Sequence, residues 1–122
     1  MNIIVIDPAA KTINRTDVPT PAMAAGLHLG WPYCADDLTD DHSFMWSPLA
    51  VLDRGASFFW SRRLGDFFAG RALLFGLTVD GELTDTGHGM ENALAEDLTF
   101  LGDLENTKRL IPELCKAGVI EL

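Results

Sequence analysis

The sequence predicts an α+β fold: a mostly antiparallel sheet of about four to six strands, with two or three short helices on one face. Three observations lead there. Short β-branched and aromatic blocks recur, at Ile3 to Ile6, Ala56 to Trp60 and Ala72 to Val79, with turn residues between them. Two separators, Asp53-Arg54-Gly55 and Asp80-Gly81, are hairpin signals, because Gly takes positive φ readily. Helical periodicity is scarce, so alternating β-α-β units are excluded. The 122 residues suit one domain, 1–122, and an apolar content of 48% supports a buried core.

Ile3-Ile4-Val5-Ile6 reads as a buried strand ended by Asp7-Pro8, since Pro pre-sets a turn and cannot donate to a ladder. Thr12 to Val18 suits a more polar returning strand. Thr20-Pro21 looks like an N-cap followed by Pro at the first helical position, with Ala22 to Ala25 in a short helix that Gly26 or Gly30 ends. Residues 31–47, with Pro32 and an Asp cluster, read as a long surface loop. Pro48 to Leu52 is expected to be a strand paired through Asp53-Arg54-Gly55 with a second strand, Ala56 to Trp60. Arg63 to Gly70 reads as a connector or a single helical turn. Ala72 to Val79 is the strongest strand, and Leu83 to Thr86 returns after Asp80-Gly81. Met90, Ala93, Leu94, Leu98 and Leu101 share helical spacing, which predicts a helix ending near Gly102. A last helical piece lies within 104–117, with Pro112 near its start or kinking it and Gly118 as its stop.

Charge is unevenly spread. The net charge is −9, from 18 Asp plus Glu against 9 Lys plus Arg. Residues 16–53 and 72–107 hold acids and no Lys or Arg, while residues 54–71 carry Arg54, Arg62, Arg63 and Arg71 against Asp66. Such a balance argues against nucleic-acid binding, where phosphates must meet cations, and against anionic membranes. The arginine island either packs against the acidic segments or leaves an acidic docking face. Two isolated cysteines, Cys34 and Cys115, and a start without a basic leader predict a reduced, cytoplasmic protein. The longest uncharged stretch, 18–35, is too rich in Pro and Gly to span a bilayer.

Five patterns could carry chemistry. Asp36, Asp37, Asp40 and Asp41 would stack one turn apart on a helix and could hold a hard cation; the plainer reading is a solvated acidic loop. His28, Cys34 and His42 lie within fifteen positions and offer zinc ligands, without the tight spacing of a zinc motif. Cys34, Cys115 and the serines lack the context of an activated nucleophile. Gly87-His88-Gly89 before a helix could cradle an anion, but its flanks are acidic. Phe58 to Phe68 holds five aromatics with Arg62 and Arg63, a composition suited to core or to an interface. Phe59, Trp60, Arg62 and Arg63 are the interface candidates there.

The chain resembles small proteins carried on phage and plasmid genomes, of a domain family without assigned function. The resemblance rests on Ile3 to Pro8, on the turn at Asp53-Arg54-Gly55, and on Phe68 to Gly76 followed by Asp80-Gly81-Glu82 and a helix. It implies a mobile-element setting and no catalytic residue. The leading expectation is therefore a small non-enzymatic acidic binding protein, an inhibitor or modulator of a host protein. Its surface would include Asp36, Asp37, Asp40, Asp41, Glu91 and Glu96 and could mimic DNA toward a basic nucleic-acid-binding partner. No cofactor is expected. Two rivals are a metal-dependent or small-ligand enzyme centred on 28–42, and a homo-oligomeric assembly protein whose aromatic strand pairs with a copy of itself.

Overall fold

The Ile-Ile-Val-Ile run forms β1 (Asn2–Asp7) in the computed structural model, which describes residues 1–121. The Asp7 carboxylate accepts from the N–H groups of Ala9 at 3.1 Å and Ala10 at 3.2 Å, closing the turn into β2 (Thr12–Asp17). The Thr20 hydroxyl caps α1 (Pro21–His28) by accepting from Met23 N–H at 3.2 Å. Gly30, at φ 71°, ends that helix, and Gly26 lies within it.

Residues 31–47 are not a loop. They contain β3 (Cys34–Thr39) and β4 (His42–Trp46), an antiparallel hairpin turning at Asp40-Asp41. Asp is a poor strand former, which hid the pair. The contradiction dissolves because β3 is an edge strand, where charge is tolerated and deters pairing with other chains. The segment expected as a strand at 48–52 is instead a turn with a 3-10 stretch at Ala50–Leu52. Asp53-Arg54-Gly55 therefore closes no hairpin and leads into β5 (Phe58–Ser61). The expected connector after it contains β6 (Asp66–Ala69), the hairpin partner of β5. As expected, β7 (Ala72–Leu77) returns through Asp80-Gly81 into a short β8 (Leu83–Thr84).

The amphipathic segment splits in two. Helix α2 (Met90–Asp97) stops at Asp97, and β9 (Leu98–Gly102) follows. Leu98 and Thr99 pair with Ser61 and Trp60 of β5, so the ladder takes backbone groups that a longer helix would have used. Asp103 caps α3 (Leu104–Lys116), accepting from Asn106 N–H at 2.8 Å. Pro112 sits inside α3, and Gly118 follows its end at φ 75°.

The fold is α+β. The large antiparallel sheet has six strands in the order β2-β1-β7-β4-β3, with β8 beside β7. A second sheet, β6-β5-β9, was not foreshadowed by the chain. Alternation along the strands sorts the apolar residues into layers. Ile4, Ile6, Phe44, Ala72 and Leu74 face Phe59, Phe68 and Leu98 of the small sheet, with Leu94 of α2 beside them. Ile3, Met45, Leu73 and Phe75 point to the other side, where Ala24 of α1 covers them. Phe58, Trp60 and Leu101 point away from the large sheet, toward Leu110 and Leu114 of α3 and Ile120. The order of layers is thus α1, large sheet, small sheet, α3. Both faces of β5 are apolar because it is the middle strand of the inner sheet. Among the described residues no helix is long and apolar enough to cross a membrane.

Candidate functional site

The register of the large sheet decides where its charges go. Asn2 pairs with Asp17, His42 with Gly76 and Thr39 with His42, so these residues mark one end. The turns at Asp40-Asp41 and at Thr78 to Glu82 project from that same end. A backbone bond from Leu77 N–H to Asp41 carbonyl, at 2.6 Å, ties the two turns together. The two acidic stretches of the chain therefore converge. Asp17, Asp40, Asp41, Asp80, Glu82 and Asp85 all lie at this end and all are exposed. Val79, at the tip of the β7–β8 turn, is fully exposed among them.

Two cations lie on that side, and both are engaged. The Met1 amino group donates to Val18 carbonyl at 2.9 Å. Arg15 donates to Asn2 Oδ1 at 2.8 Å, to Thr86 carbonyl at 2.9 Å and to Gly87 carbonyl. Its Nη2 also sits 2.8 Å from Glu91 Oε1. The Glu91 contact raises the Arg15 pKa above its ordinary value, and the Arg15 contact holds the Glu91 carboxyl below its own. Glu91 is thus paired with Arg15, although its side chain remains partly exposed. Glu96 is exposed on α2.

The remaining candidates separate. Asp36 pairs with Phe44 and Asp37 with Ser43, so the two carboxylates face opposite sides of the sheet edge. The one-turn stacking of Asp36 on Asp40 and of Asp37 on Asp41 does not occur, because the segment is a hairpin. His42 and Cys34 sit at opposite ends of that hairpin, about 13 Å apart along the strands. That cannot hold one zinc ion, whose bonds are about 2 Å long. His28 belongs to another group, with its Nδ1 3.3 Å from Arg71 Nη1. Among the described residues no three His, Cys, Asp or Glu side chains gather to hold a metal. Cys34 and Cys115 are both free and half-buried.

His42 has a structural task. Its Nε2 accepts from Gly87 N–H at 3.1 Å and its Nδ1 lies 3.1 Å from Thr39 Oγ1. The accepting Nε2 places the proton on Nδ1. This also closes the Gly87-His88-Gly89 cradle, since Gly87 N–H goes to His42 and Gly87 carbonyl to Arg15.

The aromatic segment is core on both faces. Phe59 is fully buried against Phe44 and Phe68, with ring centroids 6.2 and 5.5 Å away. Trp60 is buried on the opposite face, 4.7 Å from the Phe67 ring. Phe59 and Trp60 are therefore not surface anchors, whereas Arg62 and Arg63 are exposed. β5 has β6 on one edge and β9 on the other, so it has no free edge with which to pair with a copy.

No family model, curated protein or solved structure matches this chain. The geometry alone therefore bears on function. The residues that sequence reasoning missed are Asp17, Asp80, Glu82 and Asp85. Their membership was legible only as two acid-rich stretches, because the long-range pairing of β7 with β1 and with β4, which brings them together, has no local signal.

Proposed function

We propose that this protein is a non-enzymatic binding protein that presents the acidic end of its large sheet to a basic protein surface. The observation that carries this reading is the convergence of both acidic stretches through the Leu77–Asp41 bond. Exposed carboxylates steer association with a cationic partner, and an apolar tip such as Val79 supplies a dehydrated centre inside a charged rim. Asp40, Asp41, Asp80 and Glu82 form the centre of the surface, with Asp17 and Asp85 beside it. Asp36 and Asp37 extend it along the sheet edge. Carboxylates displayed this way stand in for nucleic-acid phosphates, so the partner is a protein whose basic groove ordinarily holds them.

The test compares the wild-type protein with an Asp40→Asn, Asp41→Asn, Asp80→Asn, Glu82→Gln variant, each immobilised in cell lysate. Binding is read at about 0.1 M and about 0.5 M salt, where the screening length falls from about 10 Å to about 4 Å. A partner held by the wild type at the lower salt, and lost at the higher salt or with the variant, is the expected result. Equal retention by the variant, or retention indifferent to salt, refutes the reading.

A further inference from the structure

We propose that the end of the molecule opposite the acidic end is the contact surface of a two-fold homodimer. Among the described residues eight large apolar side chains are exposed, and six of them, Met23, Leu27, Trp31, Leu49, Val51 and Leu52, fall in two short segments. The sheet register brings those segments together. Cys34 pairs with Trp46 and Trp46 with Ala72, at the end of the large sheet away from His42 and Gly76. Trp31 precedes Cys34 by three residues and Leu49 follows Trp46 by three, so both segments leave the sheet at that end. His28, which ends α1, shares with Leu49, Ala50 and Arg71 the wall of a cavity of about 360 Å³ between the two segments. Helix α1 is packed by its small residues, since Ala24 and Ala25 are buried, while Met23 and Leu27, one turn apart, face outward. That reverses the pattern of a helix whose outer face meets water.

Area, charge and shape select a second copy as the occupant. Trp31 is 84% exposed, and Leu27 and Leu52 are each 75% exposed. Together the six residues expose on the order of 800 Å², more than the largest apolar patch of an ordinary monomer and about what one partner contributes to a stable interface. The charges that border this end are mixed, with Lys11, Arg54 and Arg71 against Asp7 and Asp53. A strongly charged partner gains little from so balanced a rim. A copy related by a two-fold axis brings the same mixture, so each sign meets its opposite. The end also carries projections and hollows side by side. Trp31 and Leu52 project, beside the 360 Å³ cavity and a second of about 280 Å³ lined by Trp46, Val51 and Phe67. Repulsion fixes the arrangement, because joining the apolar ends keeps the two sets of six exposed carboxylates farthest apart. The dimer then presents both acidic ends outward.

The experiment is sedimentation equilibrium of the purified full-length protein from about 1 μM to about 300 μM. The average mass should rise to twice that of the chain and stop there. Raising salt from about 0.15 M to about 0.5 M should not weaken the dimer, since apolar contact is not screened, whereas capture of a basic partner by the acidic end is lost at the higher salt. Leu27→Lys and Leu52→Lys, at exposed positions on the two segments, should each raise the dissociation constant at least about tenfold. Both changes reduce the net negative charge, so added repulsion does not explain the loss. Their urea midpoints at the lowest concentration should match the wild type, which shows that both variants fold. The Asp40→Asn, Asp41→Asn, Asp80→Asn, Glu82→Gln variant should dimerise at least as tightly as the wild type, so this proposal and the acidic-end reading fail separately. A chain that stays monomeric at about 300 μM overturns the proposal. So does mass that climbs past the dimer, which marks head-to-tail contact, or a dimer indifferent to both lysine substitutions. A monomer that captures a lysate protein through Leu27 and Leu52 gives the surface to another partner and overturns it as well.

Discussion

Asp97 joins three elements through single atoms. Its Oδ2 accepts from the Ser61 hydroxyl at 2.6 Å, its Oδ1 from Arg63 N–H at 2.7 Å, and its carbonyl from Arg62 N–H at 3.2 Å. Ser61 is fully buried and Asp97 nearly so, so removing the carboxylate leaves the Ser61 hydroxyl unpartnered in the interior and the part-buried Arg63 N–H without its acceptor. Asp97→Ala should lower stability by about 3 kcal/mol, and Asp97→Asn, which keeps one acceptor oxygen, by about half that. Urea unfolding of both variants checks the order, and equal losses would mean that helix packing matters more than the bonds. His42 gives a pH dependence. Burial lowers its pKa below the ordinary histidine value, Asp41 pulls it up, and Arg15 pushes it down further. His28 shifts the same way, through burial first and then Arg71, against Asp7. Below about pH 6.5 the unfolded chain binds protons that the native histidines refuse. Stability should therefore fall as pH drops through about 6.5 and level off below the native pKa values. Unfolding midpoints between about pH 7.5 and about pH 5.5 should show that loss, and His42→Gln should reduce it to the His28 part. A loss unchanged in His42→Gln would place the titration elsewhere.

Close approach between elements is clearest at Gly76 in β7. A Cβ there would lie 2.1 Å from the Asp85 carbonyl oxygen, which is backbone and cannot swing away. Gly76→Ala should therefore push the segment after β8 off β7, at about 2–3 kcal/mol, or about 10 °C in Tm. Hydrogen exchange at Thr86, whose N–H donates to Asn2 carbonyl at 2.8 Å, should quicken. Gly55→Ala, which meets nothing within 4 Å and has no positive φ, is the neutral control. Pro112 in α3 predicts the opposite sign. It is exposed and leaves one helical carbonyl without its N–H partner, so Pro112→Ala should raise stability by about 1 kcal/mol. Legibility of the elements followed their physics. β1, β2, α1, β7 and β8 were readable because periodicity, caps and turn residues agreed locally. β3 and β4 were not, since Asp36 and Asp37 are favourable only at a sheet edge, and being an edge is a property of the whole sheet. β9 was hidden because Leu98 and Leu101 continue the helical spacing of α2, although they fall on opposite faces of a strand. The candidate site inherited these gaps. Its carboxylates were visible one by one, while their convergence required the register of β4 on β7.

Convergence of like charge has a cost that the whole molecule must carry. The net charge is −9, and six exposed carboxylates meet at one end of the large sheet, where Arg15 and the Met1 amino group are already bound to internal partners. A fold optimised for stability alone would intersperse Lys or Arg there, and the chain instead keeps Arg54, Arg62, Arg63 and Arg71 in other segments. That separation is what a charged recognition surface needs, and it leaves self-repulsion that salt should relieve. Raising ionic strength from about 0.01 M to about 0.15 M shortens the screening length from about 30 Å to about 8 Å. The wild-type Tm should rise by a few degrees over that range, on the order of 1 kcal/mol. The Asp40→Asn, Asp41→Asn, Asp80→Asn, Glu82→Gln variant should start higher at low salt and gain less, because the repulsion is already gone. Screening of the half-exposed Arg15–Glu91 pair works in the opposite direction, but such pairs contribute about 1 kcal/mol at most. A wild-type Tm that falls with salt would therefore mean that ion pairs outweigh the repulsion, and that the acidic end is not under electrostatic strain. A variant as salt-sensitive as the wild type would spread that repulsion over the whole surface instead of this one end.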